Sequence, residues 1–120
     1  MASDDTFTAE VPKVIEEDPN YADWEFDGSQ ATRIEAAKAK IENEGLVTNA
    51  KDLKDGLYEK KWGNGLRLYF AVIENEGGRI TLLFLGSGKG KEQDKAIRTA
   101  KSALKKYQVV TENIKYDSSK

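Results

Sequence analysis

The chain has 120 residues, the size of one domain at roughly 100–200 residues each, with 38% hydrophobic and 33% charged side chains, enough clustered apolar residues for a small core. Its formal net charge of −2 is uneven: residues 1–50 carry −8 (4 Lys/Arg, 12 Asp/Glu) and residues 51–120 carry +6 (15 and 9), which hints at an anionic partner for the basic half or a solubilising acidic arm before an ordinary domain. There is no Cys and no His, so a disulfide framework, a Cys-rich zinc site, a Cys nucleophile and imidazole chemistry are excluded, and any acid–base step falls to Asp, Glu, Lys or Tyr.

Residues 1–29 read as an acidic N-terminal arm, with nine Asp/Glu against the single basic Lys13. Met1-Ala2-Ser3-Asp4-Asp5 lacks the basic start and apolar stretch of a signal peptide, and no apolar run approaches the ~20 residues that span a bilayer. The expectation is a soluble, cytoplasmic protein with no membrane partner. Val11, Val14 and Ile15 suit a short strand or helical turn, and Asp18-Pro19-Asn20 a turn. Tyr21, Trp24 and Phe26, set among carboxylates, suit either a loop packed under the core or docking on a basic groove.

A helix is predicted over residues 30–44 from Ala31, Ile34, Ala37 and Ile41, with Thr32-Arg33-Ile34-Glu35 as a capping box or Ser29 as the cap, and Gly45 as the stop. Residues 46–56 read as a connection. Three strands follow as an antiparallel meander: Leu57–Trp62, Leu66–Ile73 and Arg79–Leu85, joined through Gly63-Asn64-Gly65 and Asn75-Glu76-Gly77-Gly78. Leu66, Leu68, Phe70 and Val72 share one face of the middle strand; Arg67, Tyr69, Ala71 and Ile73 share the other. The third strand is apolar on both faces and is placed centrally. After Gly86-Ser87-Gly88-Lys89-Gly90-Lys91 a second helix is predicted over about residues 92–107, with Ala96, Ile97, Ala100, Ala103, Leu104 and Tyr107 on its apolar face. Residues 113–120 read as a polar tail.

Three groups of residues bear on chemistry. The Gly/Lys loop precedes a helix N-terminus, where backbone N–H groups attract anions, yet it lacks the P-loop spacing and follows a meander rather than a βαβ unit. It remains a nucleic-acid phosphate site or a plain turn. Glu59, Lys61, Arg67 and Tyr69 would share the uncovered face of the sheet if the leucine face packs on the helices. There Arg67 would stabilise phosphate charge, Lys61 supply charge or a proton, and Tyr69 stack on a base or bond a phosphate. The alternative is a solvated cross-strand charge pattern. Lys95, Arg98, Lys101 and Lys105 form a basic stripe on the second helix, a pattern that is usually simply solvated.

The stretch Leu53-Lys54-Asp55-Gly56-Leu57-Tyr58-Glu59-Lys60-Lys61-Trp62-Gly63-Asn64-Gly65-Leu66-Arg67-Leu68-Tyr69-Phe70 resembles the RelE/ParE toxin superfamily, in particular its phage-derived HigB-like "addiction module killer" branch. Ile80-Thr81-Leu82-Leu83-Phe84-Leu85, the Gly/Lys loop and Gln93, Ile97 and Ala100 continue the resemblance, which covers about residues 30–107. It implies a RelE-like α+β fold: a small antiparallel sheet, the three-stranded meander with an optional fourth N-terminal strand, and helices packed on one face. The chain then divides into an acidic arm (1–29), a toxin domain (30–112) and a tail (113–120).

The resemblance also implies the toxin component of a type II toxin–antitoxin system, a ribosome-dependent mRNA endonuclease that works without metal or cofactor. Its partners are mRNA on the ribosome and a cognate antitoxin, expected to be a helix-turn-helix protein. By position, Lys61, Arg67 and Tyr69 are the candidate catalytic residues, and Lys89, Lys91, Lys95 and Arg98 the candidate RNA phosphate contacts. Lys60 stands where the family has an apolar core residue, the Gly/Lys loop is about one residue longer, and the acidic arm departs from the family's opening strand and helix. The arm is expected to cover the basic face in cis. Alternatives are a non-catalytic RNA- or protein-binding module on the same scaffold and a ParE-like gyrase inhibitor.

Overall fold

The computed structural model describes residues 6–18, 28–62, 66–86 and 91–110, with the backbone alone at 85–86 and 91–93. The elements in chain order are β1 (Phe7–Glu10), β2 (Ile15–Glu17), α1 (Gly28–Glu44), β3 (Leu46–Asp52), β4 (Tyr58–Lys61), β5 (Arg67–Asn75), β6 (Gly78–Gly86), α2 (Lys91–Leu104) and β7 (Gln108–Val109). The seven strands form one mixed sheet in the order β1-β3-β4-β5-β6-β2, with β7 also paired to β5. The architecture is α+β, and the sheet is larger than the meander alone.

The meander forms as the sequence predicts. β4 pairs with β5 through Tyr58↔Phe70 and Lys61↔Arg67, and β5 pairs with β6 along its whole length, from Arg67↔Gly86 to Asn75↔Gly78. The tight turn at Glu76-Gly77 is fixed by the Gly77 N–H, which donates to the Asn75 side-chain oxygen at 2.9 Å.

Two expectations are corrected at the ends of the sheet. Residues 46–56 are not a mere connection, since β3 occupies seven of them. Its alternation is broken by a β-bulge, where Asn49 takes φ +56° and the register against β1 shifts between Phe7 and Ala9. Val47 and Ala50 therefore reach the same core three residues apart, which a search for period two misses. Residues 7–17, within the segment read as an acidic arm, supply the two outermost strands of the sheet. β1 closes the β3 edge, and β2 runs parallel to β6 through Ile15↔Thr81 to Glu17↔Leu83. The meander is thereby flanked by β3 on its β4 side and by β2 on its β6 side, and β1 is the outermost strand beyond β3. The described part of the segment lies along these edges rather than over the face.

The helices also depart from expectation. They do not share one face; each covers its own. Ile34, Ala37 and Ile41 of α1 pack with Leu66, Leu68, Phe70, Val72 and Leu83. Ala100 and Leu104 of α2 pack with Tyr69, Ala71, Ile73, Leu82 and Phe84. The reason is legible in β5, whose first seven residues are all buried: a strand apolar on both sides needs cover on both. Tyr58 stacks on Phe70 at 5.5 Å between centroids and meets Phe7 edge-on at 6.0 Å, extending the α1 layer.

α1 begins at Gly28, so Thr32 lies one turn inside it and its hydroxyl donates to the Gly28 carbonyl rather than forming a capping box. Gly45 stops the helix at φ +70°, donating to the Ile41 carbonyl and accepting from the Val11 N–H. A Cβ there would stand 2.8 Å from the Val11 carbonyl oxygen, so both the dihedral and the close approach require glycine.

Candidate functional site

Period-two geometry and the β4–β5 register bring Glu59, Lys61, Arg67 and Tyr69 to one face at one end of the meander. Arg67 also faces Gly86, the last residue of β6, after which the chain enters the Gly/Lys loop and α2. The four residues thus share a face as the sequence implies. That face is not open, because α2 packs over it.

Burial separates them. Tyr69 is fully buried, Arg67 is 7% exposed and Glu59 4%, while Lys61 is exposed. Arg67 Nη1 donates to Glu59 Oε2 at 3.0 Å, so the pair is real but desolvated, not a solvated cross-strand pattern. Arg67 Nε and the Tyr69 hydroxyl have no hydrogen-bond partner among the described residues. Burial, with Glu59 adding to it, pushes the Tyr69 phenol up to about 12, partly countered by Arg67. Tyr69 is therefore a neutral phenol at neutral pH, enclosed between the sheet and α2. It cannot stack on a base in this arrangement, which corrects that expectation. Asp94, in the first turns of α2, also raises the Tyr69 value slightly.

Lys61, at the end of β4 and directly across from Arg67, is the solvent-facing member. Lys95 and Arg98 are exposed on α2. Lys91 is the first residue of α2, with its side chain outside the described set, and Lys89 lies outside the described residues. The Tyr21, Trp24 and Phe26 cluster and the tail at 113–120 lie outside them too. Among the described residues no three acids group in a way that could hold a metal ion.

Glu59 was visible in the sequence as part of the charge pattern, but its role as the buried partner of Arg67 was not. The diagonal between Glu59↔Tyr69 and Lys61↔Arg67 is the signal that reveals it. Lys60 explains itself on the other face. Its Nζ donates to the Thr48 carbonyl at 2.8 Å and the Thr48 hydroxyl at 3.2 Å, and lies 5.5 Å from the Trp62 ring centroid. Burial, and secondarily Lys40, hold its pKa below the usual lysine value. A lysine stands at this core-facing position because the β3 bulge beside it presents polar backbone that an apolar side chain would not satisfy.

Compared with known proteins, the chain matches no family model, and no curated protein or solved structure is significantly similar to it. No helix among the described residues is long and apolar enough to cross a membrane.

Proposed function

We propose that this chain is a RelE/HigB-like toxin domain that engages mRNA on the ribosome and cleaves it without a cofactor, its basic surface being masked by a cognate antitoxin. The observation that carries the reading is the set of exposed cations on this face of the meander and on the helix that packs over it. Exposed Lys61 stands across from Arg67, on the face over which α2 packs, and α2 presents Lys95 and Arg98 to solvent. Exposed cations on this face and on the helix that covers it suit an RNA phosphate, whose negative charge grows as the 2′-oxygen attacks. Within that reading Lys61 is the side chain free to touch the substrate. Arg67 contributes charge from beneath, and Tyr69 is structural.

The test is a cell-free translation reaction in which mRNA ends are mapped by primer extension, with wild type beside Lys61→Ala. Lys61 is exposed, so the variant is expected to keep its fold. Ribosome-dependent cleavage by wild type, reduced at least tenfold in Lys61→Ala, supports the proposal. Folded wild type that leaves mRNA intact overturns it.

A second reading, a non-catalytic RNA- or protein-binding module on the same scaffold, is favoured by one specific observation. Arg67 is held by Glu59 and Tyr69 is enclosed, so two of the three candidate catalytic groups have no access to a substrate. Absent cleavage with retained, salt-sensitive RNA binding would select it.

A further inference from the structure

The outer face of α2 carries a shallow groove that includes Lys95 and Arg98 and continues beyond them. Lys95, Arg98, Thr99, Ser102, Ala103 and Lys106 line a shallow depression of about 400 Å³. These positions recur every three or four residues, so they form one stripe along α2, with Lys106 in the turn after it. No described residue forms an ion pair with Lys95, Arg98 or Lys106, whereas neighbouring Lys101 is engaged by Asp55 at 3.4 Å.

The chemistry of the stripe is uniform. It offers three cations and two hydroxyls, all able to donate to an anionic oxygen, and no described carboxylate lines it. Ala103 and the aliphatic stems of its long side chains supply apolar surface along it, while the charged tips fix the sign of the ligand. A phosphodiester chain matches that sign along its whole length. From Lys95 to Leu104 the helix rises about 14 Å, with Lys106 in the turn that follows, enough to follow about two or three backbone phosphates. The stripe lies on the helix whose Ala100 and Leu104 pack over the Tyr69 side of the sheet.

We propose that this groove is the track for a single-stranded RNA backbone leaving the sheet-end site, with Lys95, Arg98 and Lys106 each neutralising a phosphate. The inference rests on the reading of that site as RNA-binding, but it concerns binding alone and is separable from cleavage.

The experiment uses the full chain, no ribosomes, and a fluorescent single-stranded 2′-O-methyl RNA, which cannot be cut. Binding is followed by anisotropy between 50 and 200 mM salt. Three phosphate contacts correspond to a log–log salt slope of about −2, or a loss of about eighteenfold across that range. Replacing Lys95, Arg98 and Lys106 together by Gln should remove that contribution and weaken binding at least tenfold at 50 mM. A control with Lys13, Arg33 and Lys40 replaced by Gln changes net charge equally, and should alter the slope little. The single Arg98→Gln variant should lower the slope by about 0.7. Equal losses in groove and control variants would overturn the proposal, as would poly-glutamate binding as well as the RNA. If wild type binds through the groove but cuts nothing on ribosomes, the track stands and the endonuclease reading falls. If Lys61→Ala abolishes cleavage while the groove variant binds normally, the track falls and the endonuclease reading stands.

Discussion

Replacing Arg67 by Ala should destabilise the fold before it tells anything about chemistry. The Arg67–Glu59 contact is 3.0 Å, and both residues are more than nine-tenths buried. Removing the guanidinium leaves the Glu59 carboxylate desolvated without its counter-charge, at a cost of about 3–5 kcal/mol. A domain of this size is stable by about 5–15 kcal/mol, so the loss is a large fraction of the total. With a urea m-value of about 1.5 kcal/mol/M, the unfolding midpoint should fall by about 2–3 M. Replacing both partners by apolar residues of similar volume, Glu59→Leu with Arg67→Met, should return most of that loss, because no charge is then stranded. The measurement is urea unfolding of the wild type, both single variants and the double variant. An Arg67→Ala midpoint within about 0.5 M of wild type at unchanged m-value would mean that solvent reaches Glu59, and the argument from burial fails. The same reasoning makes Lys61→Ala the cleaner probe of activity.

Tyr69→Phe removes a hydroxyl that is buried without a described partner while keeping the ring. It should raise stability by about 1 kcal/mol, or Tm by about 4 °C at this length, read by thermal unfolding; a loss of similar size would reveal a partner for the hydroxyl. The same variant should remove an alkaline transition. With the folded-state phenol at about 12 against an ordinary 10.0, the stabilisation is complete below pH 10 and is lost as pH rises towards 12, so the wild-type curve should fall there more steeply than the Phe curve. Lys60 has the opposite sign: its folded pKa is lowered, so its contribution grows as pH rises through that value towards 10.5, and Lys60→Met should flatten this rise in pH-dependent urea unfolding. Gly45→Ala should cost about 1–3 kcal/mol, measured by urea unfolding, because it places a Cβ against the Val11 carbonyl at a left-handed φ; a neutral result would show that β1 can shift freely from the end of α1.

The parts of the fold that were legible early are those whose signal is local. The meander rests on Gly/Asn turns and on β-rich runs of the right length. The helix, expected over residues 30–44 and found over 28–44, rests on Ile34, Ala37 and Ile41 and on the Gly45 stop. β3 was hidden because the bulge at Asn49 breaks the alternation that betrays a strand. β1 and β2 were hidden because short edge strands carry little pattern of their own and exist through pairing with β3 and β6.

The candidate site divides in the same way. That Lys61, Arg67 and Tyr69 lie on one side of adjacent strands follows from period two and a short hairpin, so the sequence alone determines it. Composition likewise determines that no thiol or imidazole takes part in any chemistry here. What only the tertiary structure decided is which of these groups meets solvent. The side of the sheet on which α2 docks encloses Tyr69, buries Arg67 against Glu59, and leaves Lys61, Lys95 and Arg98 outside. The face a helix covers is settled by long-range packing of apolar surface, a non-local balance that spacing within a strand does not encode.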